Sequence, residues 1–74
     1  MRPIAVDSTS LATIAYDAGC QTLHIRFRDQ TVYRYLHVPA DVYQALLNAP
    51  SKGSYFNRAV RGRFTHVPVG DFLS

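Results

Sequence analysis

The sequence predicts an α+β domain in which a three-stranded antiparallel meander carries two helices on one face. Three observations support this prediction. Apolar and polar residues alternate strictly in residues 22–28, glycine and proline mark the turns, and two stretches after residue 39 have helical periodicity. With 74 residues, 47% apolar and 18% charged, the chain has the composition of one small globular domain. This length leaves no room in the sequence for a second domain.

Alternation and turn residues define the expected strands. In the second strand Leu23, Ile25 and Phe27 point to one side and polar residues to the other. A two-residue turn at Asp29 and Gln30 connects this strand to the next one. The three expected strands are residues 11–16, 22–28 and 31–38, and a short edge strand at residues 64–69 is a further option.

Two helices are expected in the second half of the chain. Pro39 ends the third strand and suits a helix start, and Pro50 ends the first helix. Ser51 caps a second helix, and Gly62 follows its end. The two helices are residues 40–49 and 52–61. The core that follows from these periodicities consists of Leu23, Ile25, Phe27, Leu36, Val42, Leu46, Phe56 and Val60.

The boundaries follow from the same pattern. Residues 8–69 form the single domain, residues 1–7 a lead-in, and residues 70–74 a loose tail. The single cysteine, Cys20, cannot form an internal disulfide, which fits a reducing compartment. Because the sequence has no apolar run of signal-peptide or membrane-span length, we expect a cytoplasmic protein without a membrane partner.

The charge of the chain is unevenly distributed. The formal net charge is +3, and all of it comes from residues 42–74, where residues 42–70 contain no acidic side chain. Seven of the eight cations are arginine, which binds phosphate with two parallel hydrogen bonds and stacks on rings. This pattern favours an acidic partner, although it also serves solubility.

The predicted turn also determines which side chains share a sheet face. It pairs Phe27 with Val32, and it leaves a polar face composed of His24, Arg26, Arg28, Tyr33, Tyr35 and His37. Proteins that bind single-stranded nucleic acid use aromatic rings interleaved with arginine on such a face. The alternative is an amphipathic sheet whose exposed side carries arginine and whose tyrosines cover apolar stems.

The start of the second helix is a candidate phosphate site. Free backbone N–H groups at a helix start attract anions, and Gly53 allows a close approach. The residues in question are Ser51, Lys52, Gly53 and Ser54, and the cations Arg58, Arg61 and Arg63 follow them. The alternative is ordinary capping by Ser51.

Catalysis and metal binding are not expected. Cys20 has no base beside it in the sequence, and His24 and His37 have no evident third ligand. We therefore expect a binding protein that is not an enzyme and that uses neither a cofactor nor a metal.

The chain resembles the KTSC domain family over roughly residues 8–68, and two motifs carry the resemblance. The first is Tyr-x-Tyr, here Tyr33 and Tyr35, and the second is Ala-Pro-Ser-Lys-Gly-x-Tyr-Phe-Asn, which begins at Ala49 and is followed by Val60-Arg61-Gly62. This family is named for its occurrence at the C-terminus of some lysyl-tRNA synthetases, and it also occurs as small free-standing bacterial proteins. The resemblance implies RNA as a partner, by association with the synthetase.

Two functions follow from these observations. The first is binding of RNA or another single-stranded nucleic acid through the basic, tyrosine-rich surface. The second is a protein–protein interaction module, because tyrosine and arginine are also enriched at protein interfaces. The sequence does not indicate the oligomeric state.

Overall fold

The computed structural model describes residues 3–6 and 8–69, and it consists of one antiparallel sheet with two helices. The sheet has five strands, and their order in the sheet is their order in the chain. The elements are β1 (Ile4–Ala5), β2 (Leu11–Asp17), β3 (Thr22–Phe27), β4 (Val32–Tyr35), α1 (Ala40–Asn48), α2 (Lys52–Ala59) and β5 (His66–Pro68).

The α+β class and both helices are confirmed, and each helix ends within two residues of its expected limit. The optional fourth strand exists as β5, which pairs with β4 at the sheet edge. The sheet has one further strand, because Ile4 and Ala5, in the expected lead-in, pair with Ile14 and Thr13. The expected loose tail at residues 70–74 lies outside the described residues. Neither α1 nor α2 is long or apolar enough to cross a membrane.

One core lies between the sheet and the two helices. Leu46 of α1 and Phe56 of α2 are buried in the same cluster as Leu23 and Ile25 of β3. We call the side of the sheet that faces this cluster the covered face, and the other side the open face. Of the expected core, Leu23, Ile25, Leu46, Phe56 and Val60 are buried, whereas Phe27, Leu36 and Val42 are half-buried.

The local sequence explains where α2 begins and ends. Ser51 is extended, and its side-chain oxygen accepts a hydrogen bond from Ser54 N at 3.3 Å. The chain leaves the helical conformation shortly after α2, where Gly62 has a φ of +77°. Glycine adopts this left-handed conformation without steric strain, so its position just beyond the helix is as the sequence predicts.

The connection between β3 and β4 differs from the prediction. Phe27 N donates to Thr31 O at 2.9 Å, so three residues rather than two form the turn. The common two-residue turns need positive φ at the first central residue or at both and usually place a glycine there, whereas this connection has Asp29 and Gln30. Gln30 alone has a φ of +78°, and Asp29 Oδ1 accepts hydrogen bonds from Thr31 N and Oγ1 at 3.0 and 2.6 Å. This longer turn shifts the register of β4 by one residue.

The register shift moves the two tyrosines of the Tyr-x-Tyr motif to the covered face. Tyr33 lies opposite Ile25, and Tyr35 lies opposite Leu23. The prediction that both tyrosines share a face with Arg26 is therefore wrong. Arg34, which that register placed against the core, lies opposite His24 and is exposed on the open face.

Candidate binding site

The residues that best combine basic and aromatic character meet in one cleft on the covered side of the sheet. It has a volume of about 440 Å³ and lies between the β3–β4 turn, the segment before β2 and the residues that follow α2. Three residues predicted to bind nucleic acid, Arg28, Tyr33 and Arg61, contribute to it. We call it the arginine–tyrosine cleft; its lining consists of Ser10, Phe27, Arg28, Asp29, Thr31, Tyr33 and Arg61.

Aromatic rings hold Tyr33 at the edge of this cleft. The Tyr33 ring meets Phe27 edge-on, with 5.8 Å between centroids, and it meets the ring of His66 at 5.3 Å. Phe27 in turn packs edge-on against Phe56, at 5.5 Å. Tyr33 is only half-buried, so part of it remains accessible to a ligand. Packing on two sides restrains its ring, which lowers the entropy lost on binding.

Arg28 is held in place by the backbone that precedes β2. Its Nε donates to Ser8 O at 3.0 Å, and its Nη2 donates to Val6 O at 3.1 Å. These bonds use two of the five guanidinium N–H groups. Because carbonyl oxygens carry no net charge, these bonds do not neutralise the positive charge of Arg28. Arg28 therefore contributes a fixed positive charge with hydrogen-bond donors to spare.

Arg61 and Arg58 lie against aromatic rings. The guanidinium carbon of Arg61 is 5.6 Å from the centroid of the Phe56 ring, and that of Arg58 is 5.5 Å from the Tyr55 ring. Both arginines are exposed, so cation–π contacts orient them while their edges stay in solvent. Arg58 lies one helical turn after Tyr55, and Arg61 follows the end of α2, so each long side chain can fold back over its ring.

Tyr35 belongs to the core. Only 3% of its surface is exposed, and its ring packs edge-on against Phe56 at 5.3 Å between centroids. Burial raises the pKa of Tyr35, and the positive charge of Arg61 opposes this change. The predicted role of Tyr35 as a stacking platform for a base is therefore incompatible with its position.

A second, more polar cleft surrounds the start of α2. Its volume is about 330 Å³, and it shares Ser10 with the arginine–tyrosine cleft, so the two adjoin at that residue. All four predicted phosphate-binding residues contribute to it. We call it the serine cleft; its lining consists of Ser8, Thr9, Ser10, Pro50, Ser51, Lys52, Gly53, Ser54 and Asn57.

The donors at the start of α2 are partly engaged. Ser51 accepts from Ser54 N, which is the capping bond that the sequence offered as the alternative to phosphate binding. Lys52 Nζ donates to Ala49 O at 3.1 Å and is thereby directed toward the end of α1. The backbone at Gly53 approaches the residues before β2 closely, since a Cβ atom there would lie 3.7 Å from Ser8 Oγ.

The other predicted cations lie elsewhere. Arg26 is on the open face, and its Nη1 donates to Gln30 Oε1 at 3.1 Å. Arg63 follows α2, and its Nε donates to Arg58 O at 3.1 Å. The structure thus divides the eight predicted nucleic-acid-binding residues between both sides of the sheet, the helix start and the core.

Sequence reasoning missed four residues of the arginine–tyrosine cleft: Ser10, Phe27, Asp29 and Thr31. Phe27 was assigned to the core by its alternation, and Asp29 to the turn by its residue type. The run of hydroxyls in Ser8-Thr9-Ser10 was a usable signal, because serine and threonine side chains hydrogen-bond neighbouring backbone groups, as Ser8 Oγ does in accepting from Ser10 N and Leu11 N. Within residues 3–6 and 8–69 no three His, Cys, Asp or Glu side chains are close enough to hold a metal ion.

Comparison with known proteins gives a family for this chain. Residues 7–64 match the KTSC domain family, which is well over half of the sequence. The chain belongs to the KTSC domain family. This confirms the resemblance carried by the Tyr-x-Tyr motif and by the segment that begins at Ala49.

Solved and curated relatives agree with this assignment. The fold superimposes on the crystal structure of a KTSC domain protein from Yersinia pestis with a TM-score of 0.90 and 35% identity, over 93% of this chain and 97% of that one. An uncharacterised protein from Stutzerimonas stutzeri is 41% identical over 61 residues, which is 82% of this chain and 86% of that protein.

A third relative is a much larger protein. Lysine–tRNA ligase from Nostoc punctiforme is 40% identical over 58 residues, which is 78% of this KTSC chain and only 10% of the ligase. The similarity therefore concerns one small segment of the ligase.

Proposed function

We propose that this KTSC domain binds single-stranded RNA, or a related single-stranded nucleic acid, through the arginine–tyrosine cleft. The observation that carries the proposal is the convergence of Arg28 and Arg61 with the rings of Phe27 and Tyr33 in one cleft of about 440 Å³. Guanidinium groups bind phosphate oxygens, and exposed ring surface stacks on bases, so the cleft contains both elements of single-strand binding.

The rigidity of the cleft supports this function. Arg28 is fixed by the carbonyl groups of Val6 and Ser8, and Arg61 is oriented by the Phe56 ring. Long side chains that are ordered before binding lose less conformational freedom when the ligand arrives. Two such cations therefore bind phosphate more effectively than two freely moving surface arginines.

The serine cleft supplies a direction for the strand. It adjoins the arginine–tyrosine cleft at Ser10, and the two clefts involve the start of α2 and Arg61 just beyond its end, which the eight residues of α2 separate by about 12 Å. The start of α2 has no acidic residue in its first turn, so its positive dipole end is uncompensated there. A strand with one base at Tyr33 can thus extend a neighbouring phosphate toward Gly53.

The relatives support RNA as the ligand. A lysine–tRNA ligase, by its name, acts on tRNA, and a segment of that enzyme is 40% identical to this chain. A domain attached to such an enzyme is well placed to contact the RNA, although ligase activity itself is not implied by a segment covering 10% of the enzyme.

A salt titration with a labelled single-stranded RNA tests the proposal. We expect the logarithm of the affinity to fall linearly with the logarithm of the salt concentration. Arg61→Ala should reduce the slope by about 0.7, the value for one phosphate contact on a single strand. The matched control is Arg34→Ala, which removes the same charge from the open face and should leave the slope unchanged. The proposal fails if the wild type does not bind at low salt, or if both variants behave alike.

A protein–protein interaction is the second candidate, and the sheet edges favour it. In the part of the chain that the structure describes, two large apolar side chains are exposed, Ile4 in β1 at 40% and Val69 beside β5 at 39%, and they lie at opposite edges. An edge strand offers unpaired backbone groups to another strand. Binding of this kind depends weakly on salt, so the same titration separates the two candidates.

A further inference from the structure

One carboxylate lies among the cations of the arginine–tyrosine cleft. Asp29 lines this cleft together with Arg28 and Arg61. Its Oδ1 accepts both hydrogen bonds from Thr31, at 3.0 Å from N and 2.6 Å from Oγ1. Neither of these bonds uses Oδ2. The bonds from Thr31 lower the pKa of Asp29, so the carboxylate is ionised at neutral pH and acts only as an acceptor.

This carboxylate does not suit a cleft that binds only phosphate. A negative charge beside the phosphate path repels the backbone and opposes the effect of the two arginines. It does suit a base with an amino group, because carboxylates accept hydrogen bonds from the exocyclic amine of cytosine. The rings of Phe27 and Tyr33, which would stack on that base, line the same cleft.

We propose that the arginine–tyrosine cleft prefers a base with an exocyclic amino group over uracil, and that Asp29 is the residue that makes this distinction. The proposal rests on the proposed function and names the class of nucleotide that the site selects. Arg28 and Arg61 bind the phosphates, the rings hold the base, and Oδ2 of Asp29 accepts from the amine. Uracil and thymine present a carbonyl oxygen at the position of the cytosine amine, and that oxygen is repelled by the carboxylate.

Thr31 bonds to Oδ1 of Asp29, which leaves Oδ2 as the oxygen for a ligand in the cleft that this residue lines. The turn depends on Oδ1, which an asparagine side chain retains as its carbonyl oxygen. Asp29→Asn therefore keeps the turn and replaces the second oxygen by an amide that donates hydrogen bonds. A donor at this position can bond to the O4 oxygen of uracil. The substitution should therefore shift the preference from cytosine to uracil and leave the cleft in place.

The test compares oligocytidylate and oligouridylate of equal length, labelled with the same dye, at neutral pH and constant salt. We expect the wild type to bind oligocytidylate about fivefold more tightly, which corresponds to one hydrogen bond. In Asp29→Asn this ratio should fall to one or below. Circular dichroism and thermal melting verify that the variant keeps the fold and stability of the wild type.

Asp17→Asn is the matched control. Asp17 also supports a turn through Oδ1, which accepts from Gly19 N at 3.1 Å, and it lies outside the arginine–tyrosine cleft. It adds the same charge to the protein, so it should strengthen binding of both oligonucleotides and leave their ratio unchanged. Equal wild-type affinities, or a ratio that Asp29→Asn does not alter, overturn the preference while leaving single-strand binding in place. Failure of the wild type to bind either oligonucleotide refutes the proposed function and this inference with it.

Discussion

The covered and open faces of the sheet differ in what surrounds their arginines. On the open face Arg34 lies opposite His24, and no tyrosine or phenylalanine of β3 or β4 shares that face. On the covered side Arg28 and Arg61 line one cleft with Tyr33, whose ring is only half-buried. A positive charge alone is therefore present on both faces, whereas a charge combined with an accessible ring occurs on the covered side.

Position within the covered face matters as much as the face itself. Tyr33 and Tyr35 belong to the same motif and point the same way, yet Tyr35 is 3% exposed and Tyr33 is half-buried. The difference arises because Tyr35 lies above Leu23 and against Phe56, near the centre of the core, while Tyr33 lies beside the cleft. Tyr35 therefore stabilises the fold, and Tyr33 is accessible to a ligand.

The largest expected effect concerns the packing of the covered face. Leu46→Ala should lower the free energy of unfolding by about 2–5 kcal/mol, because it leaves a cavity between α1 and the sheet. Urea denaturation measures this loss. Gln44→Ala, at an exposed position of the same helix, should change stability by less than about 0.5 kcal/mol. Similar values for the two variants would show that α1 does not depend on its packing.

The next effect separates the two tyrosines. Tyr33→Ala should weaken binding of single-stranded RNA by about 1–3 kcal/mol, because a stacking surface is removed. Tyr35→Phe keeps the buried ring and loses only the hydroxyl, so its RNA affinity should equal that of the wild type. Fluorescence anisotropy with one labelled RNA measures both. A loss of binding in Tyr35→Phe that matches the loss in Tyr33→Ala would remove the distinction between the centre and the edge of the covered face.

A smaller effect is expected where the serine cleft meets α2. Gly53→Ala should raise the free energy of unfolding by about 0.5 kcal/mol, because alanine favours a helix and its Cβ would lie in ordinary contact, 3.7 Å from Ser8 Oγ. The same methyl group hinders a phosphate at the backbone, so RNA affinity should fall while stability rises. If affinity stays constant, the strand does not reach the start of α2.

The smallest effect is a pH dependence on the open face. Burial, followed by the charge of Arg34, lowers the pKa of His24 from its ordinary value of 6.5. The unfolded chain binds a proton at His24 more readily than the folded chain does. The protein is therefore more stable above pH 6.5 and loses stability as the pH falls through the lowered pKa of His24. Melting temperatures of the wild type and of His24→Gln between about pH 5 and 8 should show a flatter profile for the variant. If the melting temperatures of the two proteins depend on pH in the same way, His24 is not the group responsible for this pH dependence.

Periodicity was sufficient to predict most of the fold from the sequence. The alternation of Leu23, Ile25 and Phe27 identified β3, and the pattern around Leu46 identified α1. β1 was missed because two residues, Ile4 and Ala5, are too short to show a period. Such a short strand forms because it pairs with β2, so its own sequence carries little information about its structure.

The candidate site was less predictable, because it depends on one turn. A single extra residue in the connection after Phe27 moved Tyr33 and Tyr35 to the other side of the sheet. The residue types did argue against a two-residue turn, since neither Asp29 nor Gln30 is the glycine that such a turn prefers. The return of Arg61 onto Phe56 has no such signal, because the reach of a long side chain is not encoded in spacing.

The bonds from Arg28 to the carbonyl groups of Val6 and Ser8 connect the cleft to the edge of the sheet. β1 is held by only two residue pairs, so it is an element expected to open by local unfolding more often than the rest of the molecule. Under the proposed function, a phosphate that engages Arg28 favours the conformation in which this arginine is anchored, and its binding is then coupled to the closure of β1. We therefore expect amide hydrogen exchange at β1 to slow when RNA is bound, although β1 does not line the cleft.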